Sequence, residues 1–212
     1  YEIGSGLVGS EMCIRDRFKA CTNGASELMT NISMSLVSAL YNIQLLKLFG
    51  ADGVAAYGVL MYVGFVFAAV FIGYSQGTAP IVSYHFGADN KDELKNLLRK
   101  SAGIIAVAGV AMLASSELLA GPLAKIFVGY DAGLLALTIH GMKLYSVSFI
   151  LSGFNIFGSA FFTALNNGAV SALISFLRAL VFQMAAVLLL PRLMGLDGVW
   201  LAVVAAEALA VA

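Results

Sequence analysis

Long apolar segments separated by short polar breaks dominate this sequence and limit what it can fold into. Hydrophobic residues make up 60% of the 212 residues and charged residues only 11%, and the mean hydropathy is +0.92. A water-soluble globule needs more polar surface than this composition supplies. The composition therefore predicts a membrane protein, with lipid as the partner of much of its surface.

Charge and cysteine content narrow the possible functions. The 12 basic and 12 acidic residues balance to a formal net charge of zero, and they form no basic face of the kind that binds nucleic acid. Cys13, Cys21, His85 and His140 are too few for a disulfide framework and lack the spacing of a zinc site. The sequence therefore predicts no nucleic-acid partner, no bound metal and no other resident cofactor.

The polar breaks divide the chain into six predicted membrane-spanning helices. A helix rises about 1.5 Å per residue, so about 20 apolar residues cross a hydrocarbon core of about 30 Å. The breaks fall at residues 50–53, 87–90, 121–122, 166–168 and 191, which are rich in Gly, Asp, Asn and Pro. The helices are expected at about 22–49, 54–84, 99–119, 134–165, 169–190 and 199–212. This predicts an all-α membrane protein, a six-transmembrane-helix bundle whose last helix is truncated.

Residues 1–17 differ from the rest of the chain because they contain no apolar span. They also lack the basic start, apolar run and small-residue cleavage site of a secretory signal. The stretch LVGSEMCIRDR, at residues 7–17, back-translates to a sequence similar to a transposase-based sequencing adapter read in frame. We therefore expect residues 1–17 to be a non-native, adapter-derived peptide and native sequence to begin near Phe18, which would make the chain a fragment at both ends.

Polar residues recur at helical spacing on one face of the first and of the fourth predicted helix. They are Glu27, Asn31, Ser35, Ser38 and Asn42 in the first, and Ser148, Ser152, Asn155, Ser159 and Thr163 in the fourth. Steps of three and four residues place side chains on one helix face. Because polar groups in hydrocarbon are costly unless they face a cavity or a partner, the two stripes predict a shared cavity. The alternative is that these groups only join neighbouring helices by hydrogen bonds.

Ionisable residues within the predicted spans suggest how such a cavity works. A carboxylate there must be neutralised by a proton, a cation or a basic partner. Glu207 and Arg178 lie in the sixth and fifth predicted helices, so one interpretation is a structural ion pair between them. The other is that Glu207, or Glu27 of the first stripe, exchanges a proton or cation during transport. In the second helix the spacing of Gly73 and Gly77, before Pro80, favours close helix packing. The alternative is a bendable helix in which Gln76 is available to a ligand.

From Phe18 to Ala212 the sequence resembles the multidrug and toxic compound extrusion (MATE) antiporters. The resemblance is strongest over CTNGASELMTNISMSLVSALYNIQLLKLFGADGVAAYGV, over GYSQGTAPIVSYHFGADNKDELKNLLRKS and over LDGVWLAVVAAE. Members of that family have twelve transmembrane helices in two lobes. The resemblance implies that residues 18–212 are the C-terminal lobe, helices seven to twelve, and that the missing partner is the N-terminal lobe.

The resemblance also implies a function. It implies a secondary active multidrug efflux transporter of a bacterial plasma membrane, which exports cationic or amphipathic small molecules in exchange for a sodium ion or proton. Glu27 matches the acidic position of the seventh helix that the family uses in cation coupling. Some members add an aspartate on the tenth helix, whereas the fourth predicted helix here carries Asn155 and serines but no acidic residue. Neutral oxygens of this kind can still ligate a hard cation.

These arguments give one set of expected site residues. Cation coupling is assigned to Glu27, Asn31 and Glu207, and the structural ion pair to Arg178 and Glu207. The substrate cavity is assigned to Ser35, Ser38, Asn42, Gln76, Ser152, Asn155 and Ser159.

Two other functions remain open for such a helix bundle. A relative in the same superfamily could flip a lipid-linked saccharide, but such a flippase is expected to present several cationic side chains to the phosphate, and Arg178 is the only mid-span base. An intramembrane enzyme would need a catalytic constellation within the spans. The sequence has no HExxH motif and no paired intramembrane aspartates. The sequence therefore favours an exporter over both.

Overall fold

The computed structural model describes the backbone of residues 14–211, nearly all of it helical. Residues 1–13 and 212 lie outside the described part, and with them most of the predicted adapter-derived peptide. Side chains are described for residue 21, for residue 24 and for residues 28–211. Within these limits the protein is all-α.

Seven α-helices and one π-helical turn follow one another along the described chain. They are α1 (Ile14–Gly87), α2 (Lys91–Val128), α3 (Ala132–Ser146), α4 (Ser148–Ala164), α5 (Gly168–Phe176), the π-helical turn (Leu177–Phe182), α6 (Gln183–Met194) and α7 (Leu196–Val211). A break divides α1 into two limbs, α3 and α4 form one bent unit, and α5, the π-helical turn and α6 form one continuous helix. The helices therefore make the six units that the sequence predicted.

Gly50 is the break in α1. Its backbone has φ 67° and ψ −151°, a conformation that is accessible essentially only to glycine. Tyr41 and Tyr57, on either side of the break, stack with ring centroids 4.9 Å apart. In a straight helix these residues would be separated by about 24 Å along the axis. The chain therefore turns back on itself at Gly50, and its limbs, residues 14–49 and 51–87, pack side by side.

Helix α2 is longer than predicted at both ends. Asn90 caps its start, because the Asn90 side chain accepts a hydrogen bond from the Glu93 backbone N–H at 3.2 Å. The predicted break at Gly121–Pro122 is wrong, since the helix continues through Pro122 to Val128. The physical reason is packing: the buried side chains keep a four-residue spacing on both sides of the proline, at Ser116, Ala120, Ala124 and Val128. In the same way α6 continues past Pro191, where the fifth predicted helix ended.

The fourth predicted span is bent rather than straight. Helices α3 and α4 meet at Val147 with an angle of 48°. By length and composition, three stretches of the described chain can cross a membrane, and the bent pair makes a fourth if it counts as one span. The first of these, Leu28–Gly87, contains both limbs of α1. Helix α7 has only 16 residues.

Close approaches at glycine hold the bundle together. Trp200 of α7 is buried against Gly141 of α3, where a Cβ atom would lie 3.0 Å from the indole ring. Gly153 of α4 faces Phe71 and Ile105, which form a second buried cluster. Many large apolar side chains on the outer surface of the bundle remain exposed, as expected for a protein that faces lipid.

Candidate transport cavity

A cavity of about 160 Å³ lies inside the bundle. Both limbs of α1, the α3–α4 unit, the π-helical turn with the start of α6, and α7 contribute to its wall. The wall is mainly apolar, and besides tyrosines a small number of polar and charged side chains line it: Thr30, Ser38, Ser148, Ser152, Arg178, Gln183 and Glu207. An apolar pocket with a few convergent polar groups is the usual form of a small-molecule site.

Glu207 of α7 is the buried carboxylate of this cavity, with only 5% of the residue exposed. Its Oε1 accepts a hydrogen bond from Nε of Arg178 at 3.1 Å. Its Oε2 accepts one from Nδ2 of Asn155 at 2.6 Å, and the same amide nitrogen lies 3.0 Å from the Glu207 main-chain oxygen. The charge is therefore compensated by a cation on one oxygen and an amide dipole on the other.

Arg178 reaches Glu207 from the π-helical turn. A π-helical turn widens the backbone, and such turns occur frequently at functional sites in helices. The side chain of Arg178 is 20% exposed and that of Glu207 only 7%, so the carboxylate is the more deeply buried partner. The two are joined through Nε alone, without the second parallel hydrogen bond that makes a bidentate guanidinium–carboxylate pair strong and specific.

Aromatic rings form another part of the wall. They belong to Tyr57, Phe65, Tyr145 and Phe149. Tyr145 and Phe149 make an edge contact with ring centroids 5.6 Å apart. Tyr145 approaches Gly64 so closely that a Cβ atom there would lie 3.1 Å from the Tyr145 hydroxyl oxygen. Ring faces next to a carboxylate suit an aromatic or cationic guest.

The structure brings together some of the predicted site residues. Ser38 and Ser152 line the cavity, and Arg178 pairs with Glu207 there, while Asn155 contacts Glu207 from behind the wall. The hydrogen bond between Asn155 and Glu207 joins α4 to α7, two helices that the sequence analysis did not connect.

Other predicted cavity residues lie elsewhere. Ser35 is exposed on the surface of the bundle, where its hydroxyl donates to the Asn31 carbonyl at 3.1 Å. Asn31 and Gln76 are exposed as well, and the Asn42 side chain donates to the Ser38 carbonyl at 2.9 Å. None of these residues lines the cavity of about 160 Å³, so the assignment of Ser35, Asn42 and Gln76 to a substrate cavity stays a prediction. The first limb of α1 is rotated about its axis, so that a neighbouring face lines the cavity. That face is formed by Thr30, Met34, Val37 and Ser38.

Ser159 also lies outside the cavity wall. Its hydroxyl is 2.9 Å from that of Ser171 and 3.0 Å from that of Ser175, and Thr163 donates to Ser171 at 2.7 Å. These four hydroxyls join α4 to α5. For this end of the fourth stripe the structure therefore matches the alternative interpretation, in which hydroxyl groups join helices.

Glu27, the other predicted coupling carboxylate, belongs to the first limb of α1, but its side chain lies outside the described residues. A further carboxylate that the sequence analysis passed over is Glu117 of α2, which accepts a hydrogen bond from the Ser146 hydroxyl at 3.0 Å. It does not line the cavity. Among the side chains that are described, no group of three or more His, Cys, Asp or Glu residues is placed to hold a metal ion.

Sequence analysis also missed the aromatic part of the wall and Gln183. Aromatic residues are common throughout this apolar chain, so composition could not single out Tyr57 or Tyr145. Arg178, in contrast, was predicted, because a base in the middle of an apolar span marks a functional position. No sequence signal indicated that the turn carrying it would be π-helical.

Taken together, the apolar helices of the bundle define a multi-pass membrane protein, and the bundle encloses a buried ion pair. Comparison with known sequences identifies the family: the MatE family profile matches residues 28–189. The chain therefore belongs to the MatE family, which is a family of membrane transporters. No curated protein sequence matches the chain.

Solved structures show the same fold. An outward-facing multidrug resistance MATE family transporter of the MOP superfamily matches 96% of this chain with a TM-score of 0.87 and 22% identity, over 46% of its own length. An inward-facing structure of such a transporter matches 86% of the chain with a TM-score of 0.81 and 22% identity, over 42% of its length. A MOP superfamily transporter from Pyrococcus furiosus matches 98% with a TM-score of 0.87 and 20% identity, over 46% of its length. The chain thus spans less than half the length of these transporters.

Proposed function

We propose that this chain is the C-terminal lobe of a secondary active multidrug efflux transporter in a bacterial plasma membrane. In this proposal it exports cationic or amphipathic xenobiotics in exchange for a sodium ion or a proton. Membership of a transporter family supports the proposal, and so does the match to about half of each solved transporter. The chain's partner in transport is then an N-terminal lobe of the same fold.

The polar stripe of the first limb supports the presence of a second lobe. Asn31 and Ser35 are exposed on the surface of the bundle, on a helix whose other exposed residues include Leu28, Ile32 and Leu36. Polar side chains within a membrane span usually face the protein interior or a partner rather than lipid. A second lobe over this face would cover them, and the cavity between the lobes would then include Ser35 and the position of Glu27.

The buried carboxylate of Glu207 carries the proposal of ion-coupled export. It lies in a cavity with aromatic walls, so it can hold the charge of an organic cation, a sodium ion or a proton, but only one of them at a time. Mutually exclusive binding of the substrate and the driving ion is the thermodynamic basis of exchange. In this proposal Glu27 and Asn31 form a second coupling position. That assignment rests on Glu27, which matches the acidic position of the seventh helix in the family.

The charge of the cavity favours an exporter over a lipid-linked saccharide flippase. A flippase must hold a phosphate, for which several unpaired bases are expected. Of the side chains described around the cavity, Arg178 alone is basic, and it is paired with Glu207.

Transport by the complete two-lobe protein tests the proposal. The protein would be reconstituted into liposomes loaded with radiolabelled phenyltrimethylammonium, a permanent aromatic cation, and a proton or a sodium gradient would be imposed separately. We expect one of the two gradients to drive release of the compound, and the effective gradient identifies the coupling ion. If neither gradient drives release, while a lipid-linked saccharide crosses the bilayer, the flippase is the correct assignment.

A further inference from the structure

We propose that Arg178 is a tethered cation that occupies the Glu207 carboxylate while the cavity is empty and that an organic cation must displace in order to bind. The inference deepens the proposed function, because it takes an organic cation as the ligand of this cavity. It assigns Arg178 the role of setting how tightly that ligand is held.

The geometry of the pair allows such a displacement. Arg178 uses one nitrogen, Nε, at 3.1 Å, so one hydrogen bond has to break for the guanidinium to leave. The carboxylate stays in place when that happens, because Asn155 holds its other oxygen at 2.6 Å and also reaches the Glu207 main-chain oxygen. Arg178 is therefore the movable partner of the pair, and Glu207 is the fixed one.

The difference in burial between the two side chains also indicates that Arg178 is the movable partner. The Glu207 side chain is 7% exposed and the Arg178 side chain 20%, and both line the cavity. A guest in the cavity can approach the carboxylate on the side that Arg178 covers. The displaced guanidinium would find acceptor oxygens on the same wall, at Gln183 and at Ser152.

Electrostatics determine what the displacement does. A buried carboxylate with no counter-ion is strongly unfavourable, so without Arg178 the empty cavity would bind a cation tightly and release it slowly. With Arg178 present, an incoming cation is attracted by the Glu207 carboxylate but repelled by the nearby guanidinium. Arg178 therefore lowers the affinity for cations, which keeps the ligand exchangeable.

The aromatic wall limits the class of ligand. Tyr57, Phe65 and Phe149 line the cavity, and aromatic ring faces attract a cation. A quaternary ammonium group carried on one aromatic ring fits this combination. Phenyltrimethylammonium is a suitable probe because its charge is permanent and it has no hydrogen-bond donor, so its binding reports on the carboxylate and the rings alone.

Equilibrium binding tests the inference. The complete two-lobe protein would be placed in nanodiscs of phosphatidylcholine and titrated with radiolabelled phenyltrimethylammonium. Arg178→Gln should bind the probe more tightly than wild type by about tenfold, because removal of the like charge outweighs all other changes at the site. Arg178→Lys keeps a tethered cation and should stay close to wild type. Glu207→Gln should abolish saturable binding. Asp197→Asn serves as the matched control, because Asp197 of α7 does not line the cavity and contacts His140 instead.

Unchanged or weaker binding by folded Arg178→Gln would overturn the inference, and so would the absence of saturable binding by that variant. Because Arg178→Gln leaves a buried carboxylate unpaired, its folding is checked against the neutral double variant Arg178→Gln/Glu207→Gln. A second measurement needs no substitution. The ¹⁵Nε resonance of Arg178 in the wild-type chain should shift on saturation with the probe, and an unshifted resonance also overturns the inference.

These outcomes are separable from those of the transport experiment. If Arg178→Gln tightens binding but no ion gradient drives release from the complete protein, only the proposed export fails. If gradient-driven release occurs but binding does not respond to Arg178, the role of Arg178 fails and export stands.

Discussion

The side-chain amide of Asn155 contacts Glu207 twice, at 2.6 Å from Oε2 and at 3.0 Å from the main-chain oxygen of the same residue. One nitrogen thus fixes both the carboxylate and the backbone of α7 against α4. Arg178 compensates the charge at the other carboxylate oxygen of Glu207, Oε1. This arrangement makes α7 more than a structural helix, because it carries the central carboxylate of the cavity.

Asn155→Ala should destabilise the bundle. The substitution leaves a buried carboxylate oxygen without its amide partner, which costs about 1–3 kcal/mol or more for a charged group. Asn155→Gln, which keeps an amide on a longer side chain, should lose less. Reversible unfolding in mixed micelles measures the difference, and an Asn155→Ala protein as stable as wild type would contradict the importance of this contact.

Gly153→Ala should also destabilise the bundle, by overpacking. A Cβ atom at Gly153 would lie 2.7 Å from Phe71 and 2.8 Å from Ile105, whose side chains are both buried. Inserting a methyl group into such a contact costs about 1–3 kcal/mol. Gly158→Ala, on the same helix with open space around the new Cβ, is the matched control and should be tolerated. Equal unfolding free energies for the two variants would show that α4 packs differently.

Gly50→Ala should strain the reversal between the limbs of α1. The φ of 67° and ψ of −151° at Gly50 are accessible essentially only to glycine, and forcing another residue into such a region costs about 1–3 kcal/mol. Gly58→Ala is the control, because Gly58 lies within the second limb with nothing near its Cβ. There the change should be neutral or slightly stabilising. Thermal unfolding monitored by circular dichroism compares the two variants.

Glu27→Gln in the complete transporter should abolish ion-driven export while membrane insertion stays intact. The expected effect follows from the role that the family resemblance gives to this carboxylate. Export is measured as gradient-driven release of phenyltrimethylammonium, and insertion by protease protection of the termini. Unchanged export would remove Glu27 from the mechanism.

Much of the fold could be predicted because hydrophobic periodicity and turn chemistry act locally. The Gly/Asp break at Gly50 and the Asn90 cap follow from the conformational freedom of glycine and the capping ability of asparagine. The proline at position 122 was misread as a stop, because the buried four-residue stripe that carries α2 through it depends on neighbouring helices. Tertiary packing overrode a local signal there.

The site was predicted less completely. The need for charge compensation pointed to Arg178 and Glu207, and that need can be seen in the sequence alone. The polar stripe of α1 was assigned to the cavity, but at 100° per residue its centre is rotated by about 75° from the face that lines it. Ser38 is shared by both faces, whereas Asn31 and Ser35 are not. Periodicity shows that a helix has a polar face but not which neighbour that face meets.

The measurement that tests the central claim most directly is gradient-driven release of phenyltrimethylammonium by the complete transporter carrying Glu207→Gln. Glu117→Gln serves as the control, because Glu117 is a carboxylate of α2 that does not line the cavity. If Glu207 is the carboxylate shared by substrate and driving ion, Glu207→Gln loses gradient-driven release while Glu117→Gln keeps it. Release by Glu207→Gln at the wild-type rate would contradict the assignment of Glu207 as the coupling site.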